Sequence, residues 1–327
     1  MQFVEALSEK KVLFITTKNI DYIRNSQELR ILEKNADSVI KIYSKRKGYI
    51  IRILEIWIQL VKMRKSNFNV VFIGFAPQLV FPFYWKFSGK IIIIDFFISI
   101  YDTLINDRKK FKPKSLIAYF SHWLDKYVIK KAQFVITDTL ADAKYFIKEF
   151  NGEQTKFETL YLEADSSIYY RRKQDKLWLL KNSFVVLYFG SVLPLQGIDV
   201  ILKTVTLLKD KSDIYIQIIG PISDSYEKPY QKNIEYIEWL SQEELAVYIA
   251  NADLCLAGHF SEKIEKASRT IPGKAYIYET MGKRMILGDN EANRELFQEN
   301  QNHIYVKMGS VEALLNAILK VQAEYKA

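Results

Sequence analysis

Residues able to bind a phosphate group follow a predicted strand in the second half of the chain. The segment 190–199 reads Gly-Ser-Val-Leu-Pro-Leu-Gln-Gly-Ile-Asp, in which Gly190 ends an apolar run and Gly197 precedes a helical pattern. Such a loop offers backbone N–H groups and the positive end of a helix to an anion. Because strand–glycine–helix junctions are also common structural turns, the loop by itself is a weak signal.

Two cations flank a second predicted helix start. Arg269 and Lys274 stand on either side of Pro272, a residue typical of a first helical turn. Two positive side chains and a helix N-terminus would together hold a pyrophosphate. The alternative is a pair of solvated surface cations. His259 follows a glycine at the preceding strand end, so we expect it to contact a phosphate or a sugar at the same site.

A carboxylate ends the most apolar run of the first half. Asp95 follows four consecutive isoleucines, and a buried carboxylate without a partner would be costly. It could orient or deprotonate a hydroxyl group. The alternative is a structural role, in which Asp95 caps the polar stretch 97–114. That stretch begins where open α/β sheets place their ligands.

Short β-rich runs alternate with helical patterns along the whole chain, which favours βαβ units and parallel sheets. The predicted strands are 12–16, 39–43, 70–73, 91–94, 134–137, 184–189, 214–219, 254–257, 285–287 and 304–306. These are too many for one sheet, and the most polar break is 171–176. We therefore predict an α/β protein with two doubly wound domains, 1–168 and 169–327, joined near 165–181.

Composition excludes several classes of protein. The chain has 327 residues, of which 49% are hydrophobic and 26% charged, so a disordered, collagen-like or disulfide-stapled chain is excluded. The single cysteine, Cys255, lies in an apolar run and is predicted to be a small buried hydrophobe. No secretory-signal pattern and no apolar run of membrane-spanning length is visible.

Charge is distributed unevenly. Residues 1–180 carry 31 Lys and Arg against 19 Asp and Glu, whereas residues 181–327 carry 16 against 19. A basic half is expected to meet an anionic surface, such as phospholipid headgroups, a lipid-linked pyrophosphate or a nucleic acid. The alternative is a lysine-rich solvated face. Pro77 is typical of a first helical turn, so a helix is predicted to begin there. Two segments are candidate membrane patches, the aromatic cluster 81–87 of this helix and the stretch 46–52, although an aromatic stripe at helical spacing more often forms a core wall.

Several segments together resemble bacterial family 4 glycosyltransferases of the GT-B fold. The similar segments are the glycine loop 189–199, the helix start 271–274, the strand entry 281–286, the turn 288–296, the stretch 95–108 and the segment 164–169. The resemblance covers most of residues 90–310. It implies two Rossmann-like domains that face each other across a cleft.

The resemblance also implies an activity. Such enzymes transfer a sugar from a nucleotide-sugar to a hydroxyl, here a hexose or N-acetylhexosamine from a favoured UDP-sugar, with retention. No cofactor is expected, and the absence of an Asp-x-Asp motif fits a metal-independent enzyme. The expected acceptor is a glycan or polyprenyl-linked molecule in cell-surface polysaccharide synthesis. The expected location is the cytoplasm, with peripheral contact to the anionic inner face of the plasma membrane.

Site residues follow by position. The donor is expected to contact Gly190, Ser191, Gln196, Gly197, Arg269 and Lys274, while Asp95 and His259 are the predicted catalytic residues. Ser191 and Gln196 replace the family's loop cations, so the positive charge would come from Arg269 and Lys274 instead. The family's second glutamate, which binds the ribose, is replaced by Ile277, and Glu279 would substitute for it.

Three other functions compete with this prediction. A GT-B binding or scaffolding subunit without catalysis would explain the replaced ribose glutamate. A nucleotide-sugar epimerase could use the same fold. A nucleic-acid-binding protein is favoured by charge alone, and because no RNA-recognition signature is present we expect no nucleic-acid partner.

Overall fold

The protein is described from a computed structural model that covers residues 1–64, 67–172, 182–191 and 193–326. It divides into two compact units, Met1–Glu163 and Ala164–Ala327. The boundary predicted from the sequence, after residue 168, lies a few residues later. Most of the polar break 171–176, predicted to be part of the linker, falls in 173–181, outside the described residues.

The first unit contains a six-stranded parallel sheet in the order β2-β1-β3-β4-β5-β6. Its strands are β1 (Lys11–Ile15), β2 (Ser38–Ile42), β3 (Val70–Ile73), β4 (Ile91–Asp95), β5 (Phe134–Thr137) and β6 (Phe157–Thr159). β3 is buried along its whole length and β4 from its second residue on. This burial explains their continuous apolar runs, which are typical of strands covered on both faces.

Helices cover this sheet. They are α1 (Gln2–Glu5), α2 (Ile23–Asn35), α3 (Tyr49–Lys62), α4 (Leu116–Lys131) and α5 (Leu140–Phe150). α4 and α5 begin where the side chains of Ser115 and Thr139 accept hydrogen bonds from the backbone of the first turn.

Two segments of the first unit differ from simple expectation. The helix expected after Pro77 is a 3₁₀ segment, Pro77–Phe87, whose aromatic residues Phe83, Tyr84 and Phe87 are buried. Burial of these three residues confirms that they belong to a core wall, whereas Trp85 of the same cluster is 64% exposed. The polar stretch 97–114 is not all loop, because a π-helical segment, Asp102–Asp107, forms around the buried Ile105.

The second unit contains another six-stranded parallel sheet, in the order β12-β11-β10-β7-β8-β9. Its strands are β7 (Phe184–Phe189), β8 (Ile214–Ile219), β9 (Ile234–Ile237), β10 (Leu254–Gly258), β11 (Met285–Gly288) and β12 (His303–Val306). The two sheets confirm the predicted class of doubly wound parallel α/β units.

The helices of the second unit are α6 (Ile198–Leu207), α7 (Gln242–Asn251), α8 (Gly273–Thr280), α9 (Glu291–Leu296) and α10 (Val311–Lys326). α7 begins with a capping box between Ser241 and Glu244. Cys255 lies fully buried in β10, as predicted. None of the helices within the described ranges is long and apolar enough to cross a membrane.

Candidate functional site

The strand order of the second unit locates a ligand site. β7 and β10 are neighbours at the centre of the sheet, and the chain proceeds outward from them in opposite directions, to β8 and β9 or to β11 and β12. In open α/β sheets, ligands bind beyond the carboxyl ends of the strands at such a switch point. Gly190 follows β7, and Gly258 ends β10 and is followed by His259. The structure therefore brings both predicted segments to one edge of one sheet.

Two glycines shape the loop after β7. Gly190 has φ +135°, and a Cβ atom there would lie 3.3 Å from Cε of Lys274. Gly197 has φ +69°, and its Cβ would lie 2.6 Å from the carbonyl carbon of Phe260. A side chain at either position would need a backbone conformation unfavourable to L-residues. The absence of side chains lets the loop approach Lys274 and the segment after β10 closely.

Lys274 is the central cation of this site. It lies in the first turn of α8, after the N-cap Pro272, and the residue is only 5% exposed. Its Nζ donates a hydrogen bond to Oε1 of Gln196 and lies 4.4 Å from the centroid of the Tyr188 ring. Burial lowers the pKa of Lys274 to about 7. Lys274 makes no ion pair with a carboxylate among the described residues, so an anionic ligand would supply its missing counter-charge.

Gln196 positions this lysine. Its Oε1 accepts hydrogen bonds from Nζ of Lys274 and from the Tyr188 hydroxyl, the latter at 2.6 Å. Its backbone carbonyl accepts a hydrogen bond from the Phe260 N–H at 3.2 Å, which joins the two loops. Gln196 therefore holds the Lys274 side chain in place. Ser191 is exposed, as are Leu193 and Pro194 of the same loop.

Arg269 lies in the segment that connects β10 to α8. It follows a 3₁₀ turn, Glu265–Ser268, and is 5% exposed. Because Arg269 and Lys274 are both almost fully buried, the alternative of two solvated surface cations is wrong. Burial of two cations near the start of α8 gives this edge of the sheet a positive character.

His259 is a neutral hydrogen-bonding group of the same edge. Burial, together with the positive charges of Lys274 and Lys266, lowers the pKa of His259 to about 3. Its Nδ1 is buried and makes no hydrogen bond with any described residue. A neutral imidazole can donate through one ring nitrogen and accept through the other. His259 therefore suits a hydroxyl better than it suits a phosphate.

Glu279 is not brought to this edge. It lies in the last turn of α8, where its Oε2 is 2.7 Å from Nε2 of His303. His303 is the first residue of β12, so the pair lies at the amino-terminal edge of the parallel sheet. His303 itself is only 8% exposed and contacts Phe297.

The predicted catalytic Asp95 lies in a buried ionic cluster of the first unit. Its Oδ1 accepts a hydrogen bond from Nη2 of Arg24 at 3.0 Å, and Nε of Arg24 lies 3.3 Å from Oε1 of Glu28. All three side chains are fully buried. Burial and the Asp95 charge raise the pKa of Glu28 well above its usual value. Full burial and pairing with Arg24 support the structural alternative for Asp95.

Sequence reasoning missed three of these partners. Tyr188 stands two residues before Gly190, so strand alternation could have placed it on the same face. Arg24 and Glu28 are four residues apart, a spacing usually taken as a solvated helical pair. Only the fold shows that their side chains point into the protein at the end of β4.

Comparisons with known proteins agree with this geometry. Residues 183–324 match the family model described as Glycosyl transferases group 1. No curated protein sequence matches the chain. Among solved structures, HepE from Anabaena in complex with UDP is 13% identical, with a TM-score of 0.67 over 97% of this chain and 91% of the other. Sucrose-phosphate synthase from Thermosynechococcus elongatus is 10% identical, with a TM-score of 0.65 over 97% and 90%. A glycosyltransferase from Rickettsia africae is 12% identical, with a TM-score of 0.64 over 97% and 89%. These likenesses identify the fold as GT-B.

Proposed function

We propose that the protein transfers a hexose or N-acetylhexosamine from a UDP-sugar to a hydroxyl, and the match of residues 183–324 to the family model of glycosyl transferases group 1 supports this proposal. The proposed acceptor is a glycan or a lipid-linked molecule in cell-surface polysaccharide synthesis. The observation that carries the proposal is the buried Lys274, which faces the Gly190 loop at the switch point without a carboxylate partner in the described part of the chain. The complexes of HepE with UDP and with UDP-glucose support the choice of a uridine nucleotide.

In this proposal the donor diphosphate lies against Lys274 and Arg269 at the start of α8. The backbone N–H groups of the first turn of α8 add the positive end of the helix. Transfer breaks the bond between the sugar and the diphosphate, so negative charge develops on the departing UDP. Cations already fixed in place stabilise that charge. We propose that they do so without a metal ion, and that the product retains the configuration of the donor.

His259 is proposed to contact a hydroxyl of the donor sugar. Its low pKa keeps the ring uncharged at neutral pH, so it does not add to the positive charge of the diphosphate site. Asp95 stays a prediction for the acceptor side, where it would orient the acceptor hydroxyl or take up its proton. Its ion pair with Arg24 favours the structural role.

The position of Glu279 favours a second candidate function. Glu279 pairs with His303 at the opposite edge of the sheet, so it does not supply the expected ribose contact next to Lys274. A binding or scaffolding subunit of a glycosyltransferase complex would not need that contact. This alternative predicts little or no turnover of any nucleotide-sugar.

The test is thermal stabilisation by UDP, GDP, dTDP and ADP, followed by the corresponding sugars. A ligand at 100 times its dissociation constant adds about 2.7 kcal/mol to the free energy of unfolding. We expect selective stabilisation by UDP, lost in Lys274→Ala and Arg269→Ala. The matched control is Lys263→Ala, which removes an exposed lysine of the same loop.

Turnover separates the two candidates. Release of UDP from one UDP-sugar, abolished in Lys274→Ala, supports the transferase. Binding without release supports the scaffolding subunit. No stabilisation by any of the four nucleotides contradicts the transferase and favours the scaffolding subunit.

The proposal also includes a location. We propose that the protein works in the cytoplasm as a peripheral protein on the inner face of the plasma membrane. The support is the charge of residues 1–180, which carry 31 basic and 19 acidic residues. An acceptor linked to a lipid would be presented at that surface.

A further inference from the structure

α3 exposes an apolar stripe along its length. Ile50, Leu54, Ile58 and Val61 follow one another at intervals of one helical turn and are 75, 51, 55 and 64% exposed. The opposite side of the helix packs Ile56 and other residues into the core. A helix on the surface of a globular domain normally turns its apolar stripe inward and its charged face outward. α3 is therefore apolar on two sides, and only one side is covered within the described structure.

The first turns of α4 expose a second apolar group. Leu116 is 87% exposed, Tyr119 63%, Phe120 59% and Trp123 47%. Single exposed apolar residues need no explanation, but a contiguous group of large ones marks an interaction surface.

The two helices belong to one layer. Ile56 of α3 and Val128 of α4 contribute to the same core cluster, which lies on one face of the first sheet. The segment Pro77–Phe87 lies between them. Trp57 of α3 donates a hydrogen bond from its indole to the carbonyl of Leu79 at 2.9 Å, and the ring of Phe81 lies 5.4 Å from that of Trp123.

Both helices also begin at the same edge. Each follows a parallel strand, β2 or β4, so each starts beyond the carboxyl ends of the strands. The exposed first turns of α3 and α4 thus lie at the ligand-binding edge of the first sheet.

Cations accompany both apolar groups. Residues 45–52 contain four Lys or Arg and no acidic residue, and residues 108–120 contain five Lys or Arg and no acidic residue. The loops 45–48 and 108–114 are exposed throughout. Protein–protein interfaces are depleted in lysine, whereas membrane-surface elements combine lysine and arginine with aromatic and aliphatic side chains. The charge is complementary to anionic lipid headgroups.

We propose that α3, the first turns of α4 and the loops 45–48 and 108–114 form a docking surface for an anionic phospholipid bilayer. This inference rests on the peripheral location proposed above and specifies the residues that make the contact. Docking through this surface holds the carboxyl edge of the first sheet next to the lipid headgroups.

Site-specific fluorescence tests the surface. The single native cysteine is fully buried, so one introduced cysteine can be labelled selectively with the environment-sensitive dye NBD. The two test variants are Leu54→Cys and Leu116→Cys. The control is Trp239→Cys in the second unit, where the native side chain is 76% exposed.

Vesicles of phosphatidylcholine with 30% phosphatidylglycerol are compared with pure phosphatidylcholine. We expect a blue-shifted, at least twofold stronger emission at positions 54 and 116 with the anionic vesicles only, and no change at position 239. A signal at 239 without one at 54 and 116 overturns the proposal, as does failure to bind anionic vesicles.

Co-sedimentation with the same vesicles tests the loop charges. Each cation near an anionic surface changes the partition coefficient by about fivefold, so Lys110→Ala/Lys112→Ala should weaken binding by about 25-fold. The charge-matched control, Lys209→Ala/Lys211→Ala, removes two exposed lysines of the second unit and should bind as the wild type does. If both double variants lose vesicle binding to the same extent, the assignment of the membrane contact to this surface is wrong.

A protein partner would give a different result. If Leu54→Ser/Leu116→Ser converts an oligomer in solution into a monomer without changing vesicle binding, the surface is an interface between copies and the proposal fails. Because no nucleotide enters these assays, their outcome is independent of the donor site. A failed nucleotide test with intact vesicle binding would refute only the transferase.

Discussion

Replacing Lys274 with Met should stabilise the unliganded protein while it abolishes donor binding. Burial holds the pKa of Lys274 near 7, against 10.5 for an unperturbed lysine. The protonated amine is therefore disfavoured in the folded state by about 5 kcal/mol, because each pKa unit corresponds to about 1.4 kcal/mol. The lost contacts with Gln196 and Tyr188 offset about 1–2 kcal/mol of the gain. We expect the free energy of unfolding of Lys274→Met to rise by about 3–4 kcal/mol at pH 7.

The pH dependence of wild-type stability has a definite sign. Between the folded pKa of about 7 and the unfolded value of 10.5, the unfolded chain binds more protons at Lys274 than the folded protein does. The contribution of this residue to stability therefore increases with pH in that window, by about 2 kcal/mol between pH 7 and pH 9. Lys274→Met lacks this contribution. The difference in free energy of unfolding between Lys274→Met and the wild type should therefore become smaller as the pH rises.

Urea unfolding at pH 7, 8 and 9, followed by circular dichroism, measures both effects. The conservative control is Lys274→Arg, which keeps the charge and should be less stable than Lys274→Met at every pH. If Lys274→Met is less stable than the wild type at pH 7, and if the difference in free energy of unfolding does not change with pH, burial does not lower the pKa of Lys274 as argued.

Three further outcomes are expected. Binding of a UDP-sugar at pH 8 should cause the protein to take up as much as about 0.9 protons, because the diphosphate restores the positive charge of Lys274. Titration calorimetry in buffers of different ionisation enthalpy measures this uptake. If no protons are taken up, the diphosphate binds elsewhere. Asp95→Asn should lower the free energy of unfolding by about 3 kcal/mol in urea, since Arg24 loses one of its two buried carboxylate partners. An unchanged stability with lost turnover would show a catalytic Asp95 instead. Gly197→Ala should lower the free energy of unfolding by about 2–3 kcal/mol, because the new Cβ would lie 2.6 Å from the backbone of Phe260. The control is Gly89→Ala, where φ is +78° and no described atom lies within 4 Å of the new Cβ; it should lower the free energy of unfolding by about 1 kcal/mol.

Strands buried on both faces were the most predictable elements of the fold. β3, β4, β7 and β8 have continuous apolar runs, and their predicted limits agree with the structure within one residue. β6 and β9 were missed because they are short edge strands of intermediate burial, so their apolar signal is weak. The segment after Pro77 was predicted as a helix, but Pro82 within it is compatible with the observed 3₁₀ geometry rather than with an α-helix.

The candidate donor site was predictable where its residues are neighbours in the sequence. Gly190, Gly197 and Lys274 stand at strand ends or helix starts, and local pattern alone locates them. The contacts of Gln196 with Lys274, and of Asp95 with Arg24, join residues that are 78 and 71 positions apart. Periodicity carries no information about such pairs, so Glu279 could not be separated from the site until its partner His303 was visible.

The hydrogen bond between Gln196 and Lys274 has a consequence for protein engineering. The loop that would contact the diphosphate and the cation that would neutralise it come from separate segments, and one amide oxygen joins them. A graft of the loop 190–197 into another scaffold would therefore carry a binding surface without its charge. A working exchange has to move the first turn of α8 together with the loop, so these two segments form one transferable module.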